Sequence, residues 1–257
     1  MAKLNLFGPR LKVARARRHL ADLEHLIEAF FSDNPYDIRM ERCPSTGGLR
    51  VVAQFSRPLP NDTATIIGDV VHNLRCALDL LASDALRSNS AEPTRYTGFP
   101  IYETEAAFTG GRASKLAGAP DVFVDFVCGL RPFKSASDGS EGDLLIWSLG
   151  QLDNDDKHIT LLPTIGVASV KNAMAVHEDG PEHGFMMLGE VRISGQGYAP
   201  GVSLGGPGMN LIAGGQASFS VALNHRNFFS DKDVRTALRE IEARVTEVIS
   251  RAGDLAV

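Results

Sequence analysis

The sequence holds little cysteine and little tryptophan: three of the first and one of the second in 257 residues. Cys43, Cys76 and Cys128 lie far apart and form no Cys-x-x-Cys pair. That excludes a disulfide framework of the secreted kind and a thiolate zinc centre, and reads as reduced thiols. Long apolar runs are missing as well. None approaches the roughly 18 residues needed to cross a bilayer, so no membrane partner is expected. An excess of positive charge is also lacking. A formal charge of −5 argues against bulk electrostatic binding to nucleic acid and leaves room only for a local patch. The opening MAKLNLFGPRLKVARARR places its positive charges after a short apolar piece, the reverse of a secretory leader, so a cytoplasmic location is expected. The chain has no Gly-x4-Gly-Lys-Ser/Thr loop, no Gly-x-Gly-x-x-Gly after a strand, no His-Glu-x-x-His and no Gly-x-Ser-x-Gly elbow. No cofactor is therefore expected.

Hydrophobic residues make up 44% of the chain and charged residues 22%, the composition of a soluble globular protein. Val13, Ala16, Leu20, Leu23, Ile27 and Phe30 recur at three- and four-residue steps and predict an amphipathic helix over residues 9–32, ended by Asn34-Pro35. Alternation over residues 36–40 and 49–56, with Pro44 to Gly48 as turn chemistry, predicts a hairpin. A long helix is predicted over residues 62–87. At about 100° per residue, Ile67, Val70, Val71, Leu74, Leu78 and Leu81 form one apolar arc, while Asp69, His72, Arg75, Cys76 and Asp79 fall on the other side. Shorter helices are predicted over residues 120–128 and 143–152, and a last one over 231–252, opening at Ser230 with Asp233 in an approximate capping box. Strands are predicted over residues 159–170, 185–194 and 216–223, with Ala199 to Gly215 as a loop. Residues 89–119 have mixed character, with Gly110-Gly111 as a break.

Four polar constellations carry candidate chemistry. His72, Arg75 and Asp79 share one helical stripe, with Asn73 beside them; an imidazole, a fixed cation and a carboxylate within reach can do acid–base work or orient an anion. The plainer reading is an ordinary Arg75–Asp79 ion pair on a solvated face. Asn154, Asp155, Asp156, Lys157 and His158 follow a helix end, where turn formers are expected, yet they can face His72 and Arg75 if that helix packs beside the long one. Two histidines and three acids between His177 and His183 form the best metal candidate, but Gly180-Pro181 makes the segment a loop, and a solvated acidic hairpin loop is the favoured reading over a metal site. Arg18 to His25 fits the permissive Arg-x4–6-His pattern of HEPN-domain ribonucleases, beside the plain reading of a solvated cationic face. Cys76 is read as a half-buried thiol, with a reactive one as the alternative.

The segment Ile67 to Asp79 resembles a family of uncharacterised bacterial proteins that carry a G-D-x-x-H-N-L-R-x-A-L-D-x-L helix, a downstream Phe-Pro-Ile (here Phe99 to Ile101) and a later N-x-x-D-K-H-R segment. In this chain the last reads Asp153-Asn154-Asp155-Asp156-Lys157-His158-Ile159, with different spacing and Ile159 in the basic position, and Leu80 stands where members often place His. The resemblance spans roughly residues 10–160. It transfers no activity, but it implies that His72, Arg75, Asp79 and the Asp156-Lys157-His158 segment belong to a common network or site.

These readings predict an α+β protein, about five helices packed with antiparallel strands, in one domain of residues 1–257; the alternative is a cut into 1–158 and 159–257. Functionally they predict a binding or regulatory module in which a His/Arg/Asp and Asp-Lys-His network fixes helix packing, with Asn73 and Asn154 as binding residues. The alternatives are a hydrolase or HEPN-like ribonuclease using His72 and His158 as acid and base, with Arg75 or Lys157 stabilising an anion and Asp79 orienting, and a metal protein using the histidine loop. No partner is specified, and a homo-oligomer is compatible with the pattern.

Overall fold

The computed structural model describes residues 4–42, 48–158, 163–192, 201–207, 209–213, 216–223 and 232–255. Among them lie six α-helices and nine β-strands, a mixed α+β content. The helices are α1 (Phe7–Ser32), α2 (Asp62–Ser88), α3 (Glu105–Lys115), α4 (Asp121–Leu130), α5 (Leu144–His158) and α6 (Val234–Gly253). The strands are β1 (Tyr36–Arg42), β2 (Gly48–Phe55), β3 (Tyr102–Thr104), β4 (Phe133–Ser135), β5 (Pro163–His177), β6 (Phe185–Arg192), β7 (Gly201–Pro207), β8 (Met209–Ala213) and β9 (Gln216–Leu223). None of the described helices is long and apolar enough to cross a membrane.

The chain groups into two compact units. The first combines Met1–Glu24, Asp62–Leu161 and Arg235–Val257; the second combines His25–Asn61 and Leu162–Val234. Set beside this grouping, the alternative cut after residue 158 falls close to the seam at Leu161, while the hairpin and the last helix each change sides.

The first unit is helical. Helix α2 is amphipathic along its whole length, and Ile67, Val70, Val71, Leu74, Leu78 and Leu81 are fully buried. It packs against α5, whose Ile146, Leu149 and Leu152 are buried. Helix α6 contributes Leu238, Ile241, Val245 and Val248 to the interior. Its polar face is tied by Arg17–Glu242 at 2.7 Å, Arg239–Glu24 at 2.7 Å and Arg244–Asp143 at 2.8 Å. Asp143 also caps α5, accepting from the Ile146 amide at 3.0 Å. Strands β3 and β4 form a two-stranded parallel sheet, Tyr102 opposite Phe133 and Thr104 opposite Ser135, a departure from the antiparallel arrangement expected throughout.

The second unit is built on sheets. β1 and β2 pair antiparallel from Tyr36↔Phe55 to Arg42↔Leu49, and β2 pairs β7. The 15-residue β5 pairs antiparallel with β9 along its first part and with β6 and β8 further on. Phe31, Tyr36, Phe55 and Phe219 cluster, with the Phe31 and Phe219 rings stacked at 5.4 Å.

Several elements differ from expectation. The segment Ala199 to Gly215, read as loop, contains β7 and β8, because the ladders on β2 and β5 supply the hydrogen bonds that its glycines weaken but do not forbid. Residues 105–115 form α3 despite Gly110 and Gly111; Thr104 caps it through its hydroxyl to the Ala107 amide, 3.2 Å. Helix α6 begins at Val234, and Asp233 accepts from the Val221 amide at 3.1 Å. Cys43, the hairpin turn from Pro44 to Gly47, residues 159–162 at the start of the expected strand, and Ser230 lie outside the described residues.

Candidate functional site

The decisive local difference lies at the end of α5. The polar run 153–158, expected as a turn, is helical. In a helix, Asp153, Asp156 and Lys157 stand three and four residues apart and so share a face, which lies toward α2. There Asp153 is the centre. Its side chain is 4% exposed. Oδ1 meets His72 Nδ1 at 3.2 Å, and Oδ2 accepts from Lys157 Nζ at 2.5 Å. The two partners are themselves half-exposed, at 53% and 51%. A carboxylate taken out of water is thus compensated by two groups that reach down from solvent, the arrangement that a buried charge requires.

A second cluster sits one turn along α2. Arg75, 16% exposed, donates from Nη2 to Asp79 Oδ1 at 2.9 Å and to the Phe99 carbonyl at 2.8 Å. The Phe99 amide donates back to the same Asp79 oxygen at 2.8 Å. Arg75 and Asp79 therefore clamp both backbone groups of Phe99, whose ring is fully buried. Arg75 Nη1 is buried without a hydrogen-bond partner among the described residues.

Between these clusters opens a polar cavity of about 350 Å³. Arg75, Asp79, Asp153, Asn154 and Lys157 line it, with Lys115 entering from the end of α3. Of the residues singled out from the sequence, it therefore unites Arg75, Asp79, Asn154 and Lys157. Asn73 stands apart, buried toward α1: its amide donates to the Asp69 carbonyl at 2.8 Å, and its oxygen accepts from Lys12 Nζ at 3.4 Å. Asp156 lies over Gly68, where a Cβ would come within 2.5 Å of its carboxylate, so the missing side chain makes room for it. Burial first, and the neighbouring Asp153 second, push the Asp156 carboxyl up, against the pull of His72 and Lys157. His158 is exposed at the last position of α5, and no hydrogen bond joins it to His72 among the described residues.

What does approach His72 is Cys76. Its Sγ lies 3.4 Å from Nε2, on the opposite side of the ring from Asp153. Burial pushes the Cys76 thiol up, offset by the nearby Lys12 ammonium. A carboxylate, an imidazole and a thiol thus stand in a row.

Sequence reasoning missed Asp153, Cys76 as a partner of His72, and Lys115. The i,i+4 spacing of Asp153 and Lys157 is the signal for the first, once the run is taken as helix. For Lys115 the sequence holds none, since its place depends on the fold of residues 97–116.

The histidine loop assembles differently. His177 pairs with Asp179 at 3.4 Å and His183 with Glu182 at 3.8 Å, with the two rings 6.1 Å apart. Among the described residues no group of three or more His, Cys, Asp or Glu side chains is placed to hold a metal ion. Arg18 and His25 are both exposed on α1.

In comparisons with known proteins, no family model, no curated protein and no solved structure matches this chain.

Proposed function

We propose that the helical unit is a binding module whose α2–α5 network fixes helix packing and thereby shapes the polar cavity beside it. The observation that carries this reading is Asp153, a buried carboxylate held by one residue from α2 and one from its own helix. The positions that resemble the bacterial family, His72, Arg75, Asp79, Asp156 and Lys157, lie on or beside the same network, and kinship with that family is part of the proposal. A double-mutant cycle of His72→Ala and Lys157→Ala, followed by urea unfolding, tests it. Each single variant leaves Asp153 one partner and costs about 1 kcal/mol. The double variant strands a buried charge and costs about 3 kcal/mol or more. Costs that add to within about 0.5 kcal/mol would sink the idea of one shared network.

The row Asp153–His72–Cys76 favours a second reading, an acyl-transfer hydrolase. Asp153 fixes the proton on Nδ1, leaving Nε2 to take the thiol proton as Sγ bonds to an acyl carbon. The carbonyl electrons move to oxygen and return to expel the leaving group, which takes the proton from His72; water then releases the acid by the same path. This replaces His158 with Cys76 as the partner of His72. Incubation with p-nitrophenyl acetate, followed by mass spectrometry, should show acetylation at Cys76, slowed at least about a hundredfold in His72→Ala. Equal rates in the two proteins discard it.

A further inference from the structure

The cavity between α2, α3 and α5 differs from a general polar cleft in the balance of its hydrogen-bonding capacity. Its carboxylates are Asp79 and Asp153; its cations are Arg75, Lys115 and Lys157. Three of the four carboxylate oxygens already accept bonds from protein groups: Asp79 Oδ1, Asp153 Oδ1 and Asp153 Oδ2. Asp79 Oδ2 is the one carboxylate oxygen of the wall that accepts no bond among the described residues. Donors, in contrast, are in surplus. Lys115 forms no ion pair among the described residues, and Lys157 spends one of three ammonium donors on Asp153. Gln151, Asn154 and Tyr102 line the same space. With Arg75 set against Asp79 and Lys157 against Asp153, the charge of Lys115 is uncompensated within the wall.

We infer that this cavity binds a small phosphate monoester, with Lys115 and Lys157 holding the phosphoryl oxygens. The inference rests on the reading of the helical unit as a binding module. Arg75 decides between phosphate and carboxylate. Its Nη2 is engaged by Asp79 and Phe99, and Nη1 is buried, so the guanidinium does not present the two-toothed fork that pairs with a planar carboxylate. It acts as a fixed positive charge beneath the surface. The contacts left are point charges from two separate elements, α3 and α5, which suit the spread oxygens of a tetrahedral group. The Lys115 carbonyl accepts from the Gly98 amide at 3.4 Å, which ties the end of α3 to the segment that leads into Phe99, and Lys115 itself is only partly buried. The volume of about 350 Å³ exceeds a bare phosphate and admits a short organic remainder, against Ile101 and Tyr102.

Calorimetric titration of the full chain at low ionic strength, with inorganic phosphate and glycerol 3-phosphate as probes and acetate and glycerol as controls, tests this. Both phosphates should bind, glycerol 3-phosphate more tightly and at about 1 mM or better. Lys115→Ala should weaken binding at least about tenfold and Lys115→Glu should abolish it. The thermal midpoint of each free variant should equal that of the wild type. Absence of binding by either phosphate overturns the inference, as does binding that survives both substitutions. Acetate binding as tightly as phosphate overturns the choice of phosphate. Since Lys115 lies outside the Asp153 network, these outcomes are separate from those of the His72–Lys157 cycle.

Discussion

Two regions of this molecule both set histidine beside carboxylate and have opposite physical character. The α2–α5 cluster and the His177–His183 loop are both rich in histidine and carboxylate. In the first, the groups stand on two packed helices, and one carboxylate is 4% exposed. In the second, they stand on a hairpin turn and pair with sequence neighbours, His177 with Asp179 and His183 with Glu182, at 69% and 67% exposure of the acids. The same residue types acquire strong mutual dependence only where the backbone is rigid and water is excluded. Where solvent reaches every member, each pair is worth little.

The contrast can be broken by substitution. After the double variant, the largest effect is expected from Arg75→Met. It removes the Asp79 pair and leaves the Phe99 carbonyl without its donor, and should lower unfolding free energy by about 2 kcal/mol in urea titration. A loss under about 0.5 kcal/mol would place the Phe99 clamp among solvated decorations. Asp156→Asn should move stability the other way. The carboxyl is pushed up in the folded state, so folding is favoured below the ordinary carboxylate range and that benefit is lost as pH rises through the raised value. Near neutral pH the ionised group therefore costs stability, and the amide should gain a few tenths of a kcal/mol, about 0.5 at most after allowance for solvent screening. The gain should vanish in acid; a gain independent of pH would point to some other cause. The smallest effect is expected from His177→Ala with His183→Ala, within about 0.5 kcal/mol of wild type at neutral pH. A larger loss would show that the loop is coupled after all.

How much of this was legible in the sequence follows the periodicity. The long helix and its buried arc appear in full, since Ile67, Val70, Val71, Leu74, Leu78 and Leu81 repeat with the helical period and all six are buried. The polar stripe was legible as a stripe. Its partners were legible in part: the sequence points to the 154–158 segment as a neighbour of His72 and Arg75, but not to Asp153, because Asp153 to His158 carries no apolar residue to mark a helical face; that run is helical through packing against α2 and through the Asp153–Lys157 pair. Propensity also misled at Gly201 to Pro207, where pairing with β2 outweighs the weak strand preference of glycine. The cavity was invisible for a simpler reason: Lys115 and Gln151 come together only when residues 97–116 have folded back against α2 and α5.

The helical unit is assembled from three stretches of chain, and the last of them is α6. That order matters on the ribosome. Helices α1, α2 and α5 emerge long before α6, and Leu238, Ile241, Val245 and Val248 are still to be made while the surface they cover lies open. A nascent chain halted short of Arg235 would thus present sticky apolar area to chaperones rather than a finished half. The ion pairs of Arg17 with Glu242 and Glu24 with Arg239 close the unit only when synthesis has passed the whole sheet-forming segment.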